Sequence, residues 1–181
     1  MSTPLPFSSP PLWISVFGLG KLRPAPGTWG SMPPVVLAGA LWLAGLGPTA
    51  APVVYHVALV AVLLVFSAAC ILQGDHAEAY YKRKDPSNAV ADETAGQCFS
   101  LMLLPAGAVY DWRIAAVTFA AAFVLFRVFD IIKPWPAHSL QRLPAGWGIL
   151  IDDLIAGLYA MLVVQGLVRW GYPALGWVPG P

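Results

Sequence analysis

A chain of 181 residues with 58% apolar and only 10% charged side chains has too little charge for a water-soluble surface, where roughly a quarter of residues are charged. Its mean hydropathy of +0.68 points to a bilayer as the solvent for the rest of that surface. A net charge of +1, without any basic stripe interleaved with aromatics, argues against a nucleic-acid partner. Residues 1–11 are rich in Pro and Ser and lack a basic start, so they read as an irregular tail rather than a cleavable signal. Residues 12–33 hold Phe17-Gly18-Leu19-Gly20-Lys21 and Pro24-Ala25-Pro26-Gly27-Thr28, and this spacing of Pro and Gly predicts a loop. Apolar segments follow at 33–47, 52–73, 98–110, 114–132 and 149–170. The first is short for a span, and the third is short and carries Pro105. The expected fold is all-α: an integral membrane helical bundle of about five hydrophobic helices, three of them long spans. One domain covers 12–170, with a C-terminal tail at 171–181.

Charge orients these segments. The polar stretches 12–32, 74–97 and 127–148 hold Lys21, Arg23, Lys82, Arg83, Lys84, Arg127, Lys133 and Arg142, whereas the opposite side holds Arg113 and Arg169. The excess of basic residues marks the first set as cytoplasmic, with the chain crossing in alternation. Cys70 and Cys98 sit in apolar stretches without metal-ligand spacing and read as small buried hydrophobes.

The acidic residues carry the functional signal. Asp75, Glu78, Asp85, Asp92, Glu93, Asp130, Asp152 and Asp153 fall in or beside the cytoplasmic stretches, and Asp111 belongs to the other face. Asp152 and Asp153 stand next to each other after Ile149-Leu150-Ile151, where two carboxylates entering an apolar helix need a partner or a metal. Asp92-Glu93 forms a second pair, in a turn leading into a helix that Asp85 or Ser87 would cap. Arg127, Asp130 and Lys133 recur every three residues and share one helix face, which Pro134 ends.

Several carboxylates without a His or Cys cluster suit a hard cation such as Mg²⁺. Basic residues beside them suit a phosphate ester. The stretch Lys21–Ser31 fits as a phosphate cradle, with Gly27 and Gly30 permitting close backbone approach and Thr28 and Ser31 supplying hydroxyls.

Four blocks then resemble those of the phosphatidylglycerophosphatase A family, in family order over about residues 14–165. They are Gly18 to Ser31, Asp85 to Gln97, Phe126 to Pro136, and Gly148 to Gly157. The resemblance implies an all-α fold, Mg²⁺ dependence, phosphatidylglycerophosphate as the lipid substrate and a role in phosphatidylglycerol synthesis at the bacterial cytoplasmic membrane. It nominates Lys21, Arg23, Thr28, Asp85, Asp92, Glu93, Arg127, Asp130, Lys133, Asp152 and Asp153 as site residues. Their chemistry divides them: Lys21, Arg23, Thr28, Arg127 and Lys133 for the substrate phosphate, Asp85, Asp92, Glu93, Asp152 and Asp153 for the metal, and Asp92, Glu93, Asp130 and Asp153 for catalysis. Other phosphatase chemistries lack their residues here: no paired catalytic histidines, no Cys five residues before an Arg, no Asp-x-Asp start. A CDP-alcohol phosphotransferase-like enzyme and a small cation or proton-coupled transporter are the competing readings. The oligomeric state is left open.

Overall fold

The structure is a computed structural model and describes residues 9–137 and 145–177. Arg142 and His138, most of the N-terminal tail and the last four residues lie outside the described residues. Among the described residues five principal helices make up the fold: α1 (Pro26–Leu43), α2 (Pro52–Tyr81), α3 (Ala91–Ser100), α4 (Trp112–Ile132) and α5 (Ala145–Gly166). Short 3-10 turns at Val16–Lys21 and Ala106–Val109 precede α1 and α4. Among the described residues there is no strand. Among the described residues three helical stretches are long and apolar enough to cross a membrane: Pro52–Tyr81, Trp112–Ile132 and Gly146–Ala174.

The helices alternate in direction, so the loops gather at two ends. At one end Lys133 pairs with Asp152 and Gly27 lies against Glu93 and Arg127. At the other, the Tyr55 hydroxyl donates to Leu101 O at 3.1 Å and Leu103 N–H donates to His56 Nε2 at 3.1 Å. A core of Tyr55, Leu59, Leu101, Phe119, Val164 and Tyr172 fills this second end. A second core of Ile14, Phe66, Cys70, Val90 and Leu150 supports the first. Cys70 and Cys98 are buried free thiols, as expected.

Four local expectations are corrected. Residues 26–33 are helical rather than loop. Pro26 opens α1 at a position whose missing N–H is an orphan anyway. Pro34, inside the helix, cannot donate to Gly30 O, and the Thr94 hydroxyl donates to that carbonyl instead at 2.6 Å. The third helix is 91–100, not 98–110. Leu103 takes φ 54 and Pro105 follows, so the apolar run 101–110 turns instead of continuing the helix. Neither Asp85 nor Ser87 caps α3; Val90 N–H and Ala91 N–H donate to Ile14 O at 2.8 and 3.1 Å. The helical path of α5 continues through a π turn at Leu167–Gly171 to Ala174, past the expected boundary at residue 170. Tyr172 is buried there, its hydroxyl 3.2 Å from Thr118 Oγ1.

Candidate active site

The site begins with close backbone contact between α3 and α5. A Cβ on Gly96 would collide with the Asp153 carbonyl, and one on Gly157 with the Gly96 carbonyl. Only glycine allows this approach. It sets the first turn of α3, which carries Asp92 and Glu93, against Asp153 on α5. One carboxylate oxygen from each of Asp92, Glu93 and Asp153 lies within 4.8 Å of the other two. Asp92 and Asp153 are 7% and 2% exposed.

Buried acceptors are normally hydrogen-bonded, and these are exceptions. Asp92 Oδ1, Glu93 Oε2 and Asp153 Oδ2 are buried and accept no hydrogen bond within the protein. Burial raises the Asp92 carboxyl well above the usual carboxylate range, and the Glu93 charge adds to it. Burial also pushes Glu93 up to about 8, with its hydrogen bond to Asp92 pulling the other way and the Asp153 charge adding to the rise. Three converging carboxylates, each with a buried oxygen that has no internal donor, form a set suited to a hard divalent cation.

The cationic wall comes from the end of α4. Arg127 Nη1 lies 2.7 Å from Asp130 Oδ2, 4.0 Å from Glu93 Oε1 and 3.5 Å from Ser31 Oγ. Lys133, in a left-handed conformation at φ 49 just past α4, pairs with Asp152 and stands 3.6 Å from Asp130 Oδ1. Burial disfavours the Lys133 ammonium, but the Asp152 hydrogen bond and the surrounding carboxylates outweigh it and raise its pKa. The three-residue spacing of Arg127, Asp130 and Lys133 thus yields one shared face, as expected.

The third wall is the start of α1. The Ser31 hydroxyl, fully buried, donates to Gly27 O at 2.8 Å. A Cβ on Gly27 would meet the Arg127 guanidinium nitrogens at 2.8 and 2.9 Å and would press on Glu93. Thr28 is half-buried on the same turn.

The remaining nominated residues sit differently. Asp152 is buried beside the three-carboxylate group, but its Oδ2 is held by Lys133. Asp85 stands at the rim with an exposed side chain, and its backbone N–H faces Glu78 Oε1 at 3.4 Å. Partial enclosure and the Asp152 charge push the Asp85 carboxyl up, with Lys133 pulling it back. Lys21 and Arg23 are exposed, and among the described residues neither pairs with a carboxylate of the site. Thr94, Gly96 and Gly157, which build the socket, were given no role from sequence. Their signal was the run of small residues around each acidic pair: Ala91, Ala95 and Gly96 on α3, Ala156 and Gly157 on α5.

Comparison with known proteins bears on this arrangement. A family profile described as Phosphatidylglycerophosphatase A matches residues 12–168. The chain is 36% identical over 159 residues to the phosphatidylglycerophosphatase A of Haemophilus influenzae, covering 85% of each chain. It is 33% identical over 156 residues to a Bacteroides thetaiotaomicron protein named "Putative phosphatidylinositol-3-phosphatase", covering 85% of this chain and 89% of that one. A shorter stretch of 75 residues is 41% identical to the phosphatidylglycerophosphatase A of Escherichia coli, covering 41% and 40% of the two chains. No solved structure matches the chain. The profile runs from the segment that caps α3 to the end of α5, and so takes in all three walls of the carboxylate socket. With that coverage and the Haemophilus relative, the chain belongs to the phosphatidylglycerophosphatase A family of phosphatases.

Proposed function

We propose that this protein removes the terminal phosphate of phosphatidylglycerophosphate, giving phosphatidylglycerol and inorganic phosphate, with Mg²⁺ as cofactor. The observation that carries the reading is the buried trio Asp92, Glu93 and Asp153, with an unpartnered oxygen on each, directly beside Arg127. Those three carboxylates would hold Mg²⁺. When bound, the ion supplies Lewis-acid polarisation of the phosphoryl group and activation of water at neutral pH.

The rest falls to this chain's own side chains. Asp130 fixes one edge of the Arg127 guanidinium, leaving its other N–H groups for the phosphoryl oxygens, where charge builds as the ester bond breaks. Lys133 is engaged by Asp130 and Asp152, so its first role is to hold the ends of α4 and α5 together while adding positive potential. Of the Asp92–Glu93 pair, the carboxylate oxygen that the ion leaves free would accept the proton of the attacking water. Lys21 and Arg23, exposed at the same end, act on the incoming headgroup before it reaches the socket.

The protein works in the bacterial cytoplasmic membrane with this end toward the cytoplasm. Support comes from the charge asymmetry: seven described basic residues belong to the site end, and Arg113 and Arg169 to the other. The family match favours hydrolysis over the phosphotransferase and transporter readings. The test is release of inorganic phosphate from phosphatidylglycerophosphate by the detergent-solubilised protein. Release should require Mg²⁺ and stop with EDTA. Phosphatidylinositol 3-phosphate serves as the comparison substrate because of the Bacteroides relative. Faster release from it would overturn the substrate assignment, and release unaffected by EDTA would overturn the metal assignment.

A further inference from the structure

Exposed tryptophans stand at the ends of α5 and at the start of α4. On α5 and its continuation these are Trp147 and Trp170, which are 52% and 70% exposed. On α4 Trp112, the first residue, is 66% exposed, while Trp135 follows the turn after Lys133 and its carbonyl accepts from the Tyr159 hydroxyl at 2.9 Å. Between them the outward face is Val117, Val124 and Val128 on α4 and Leu158, Leu162 and Val163 on α5. No charged side chain of either helix is exposed in that interval. Arg113 and Arg169 lie at the belt itself, each next to a tryptophan.

The spacing fits one occupant. Trp147 to Trp170 is about 34 Å along a helix, and the 21 residues of α4 are about 31 Å. The hydrocarbon core of a bilayer is about 30 Å thick, and Trp favours its two boundaries. The midpoint of the α5 pair falls near Leu158, and on α4 Phe126 packs with Ala156 and Ala160 beside that level.

We propose that the bilayer is held between Trp147 on one side and Trp170 and Trp112 on the other, with Leu158 at its centre and Val124 near it, and that the carboxylate socket therefore lies inside the hydrocarbon layer rather than at the membrane surface. Asp153 is about 8 Å from the midplane along α5, at about 1.5 Å per residue. The boundary lies about 15 Å from the midplane. The socket is thus recessed by roughly 7 Å, and the lipid phosphate is drawn below the headgroup level to meet it. This depth rests on the phosphatase reading only for the identity of that phosphate.

The test uses the full chain in phosphatidylcholine and phosphatidylglycerol liposomes, with single nitroxide labels at Trp147→Cys, Leu158→Cys, Trp170→Cys and Val124→Cys. Cys70 and Cys98 are buried, and unlabelled-background protein controls for them. The ratio of oxygen to nickel-chelate accessibility, read by power saturation, should peak at 158 and 124 and be several-fold lower at 147 and 170. A maximum toward residue 165 or beyond would place the socket at the surface and overturn the proposal, as would water-like values at 158. Phosphate release by the same liposomes is scored separately. Its loss with the depth profile intact counts against the assigned reaction, and a shifted profile with release intact counts against the recessed site alone.

Discussion

The two ends of the bundle bury polar groups in different ways. Far from the carboxylates, Tyr55 donates to Leu101 O, Thr118 meets Tyr172, and the Asp111 carboxylate caps α4 by accepting from Arg113 N–H and Ile114 N–H at 2.7 and 2.9 Å. Each polar side chain there completes a backbone or a packing contact, as folding alone requires. At the socket, Asp92, Glu93 and Asp153 are packed against one another with acceptors left open, an arrangement that folding by itself disfavours. Polar groups at one end are spent on the fold, and those at the other are held against it. The second kind marks where chemistry happens.

The sharpest way to break this contrast is to make the same change at both ends. Asp153→Asn keeps the shape of the side chain and removes one carboxylate of the trio. Phosphate release should fall at least about 100-fold, the scale on which losing a transition-state charge partner acts. The helical circular dichroism should stay unchanged. Asp111→Asn should leave release within about twofold of the parent and alter stability little, because Asn caps a helix as well as Asp. Equal losses from the two substitutions would mean that the socket has no special role.

A second pair contrasts two glycines on a single helix. Gly27→Ala puts a methyl against Glu93 and the Arg127 guanidinium, whereas a Cβ on Gly39 meets nothing within 4 Å. Displacing Arg127 by a fraction of an ångström should lower kcat/KM about tenfold, since catalysis is sensitive to misplacement on that scale. Gly39→Ala should leave turnover alone and raise the melting temperature slightly, as Ala is favoured over Gly in a helix by about 1 kcal/mol. An unchanged kcat/KM in Gly27→Ala would show that α1 lies against the socket without shaping it.

Much of this was legible from the chain because the bilayer exaggerates hydropathy. The spans at 52–73, 114–132 and 149–170 were readable as long apolar runs, and the structure has helices over each. The acidic pairs were readable because few charges occur in so apolar a chain. What local pattern concealed was tertiary compensation. Pro24, Pro26 and Gly27 argue for a loop in isolation, yet α1 starts at Pro26 and runs on through Pro33 and Pro34, with Thr94, about 60 positions away, taking the place of a missing donor. The start of α3 looked as if it needed Asp85 or Ser87, but its donors go to the Ile14 carbonyl, which no spacing rule could connect to it. The end of the third helix was missed for the opposite reason: the apolar segment 98–110 suggested one short helix, but Leu103 and Pro105 turn the chain. Which carboxylates share a point is likewise set by backbone contact at Gly96 and Gly157, so Asp152 and Asp153, adjacent in sequence, have different partners.

The smallest effect should appear as a dependence of stability on pH that only the socket end can produce. Burial pushes the Glu93 carboxyl up to about 8 in the metal-free protein, against the ordinary glutamate value of about 4.3 in the unfolded chain. Between those values the folded state binds more protons than the unfolded state, so raising the pH through this window removes stability, and the loss is complete above the upper value. Asp92, raised in the same direction, adds to the slope. A bound cation compensates the carboxylate charges and offsets the loss. The gain in melting temperature on adding Mg²⁺ to EDTA-treated protein should therefore be small near pH 5 and grow toward pH 8, by a few degrees for a chain of this size. Asp111 has no part in this, so Asp111→Asn should reproduce the profile of the parent, while Glu93→Gln should flatten it. A Mg²⁺ gain that stays constant across that range would mean that the trio is not where the ion binds.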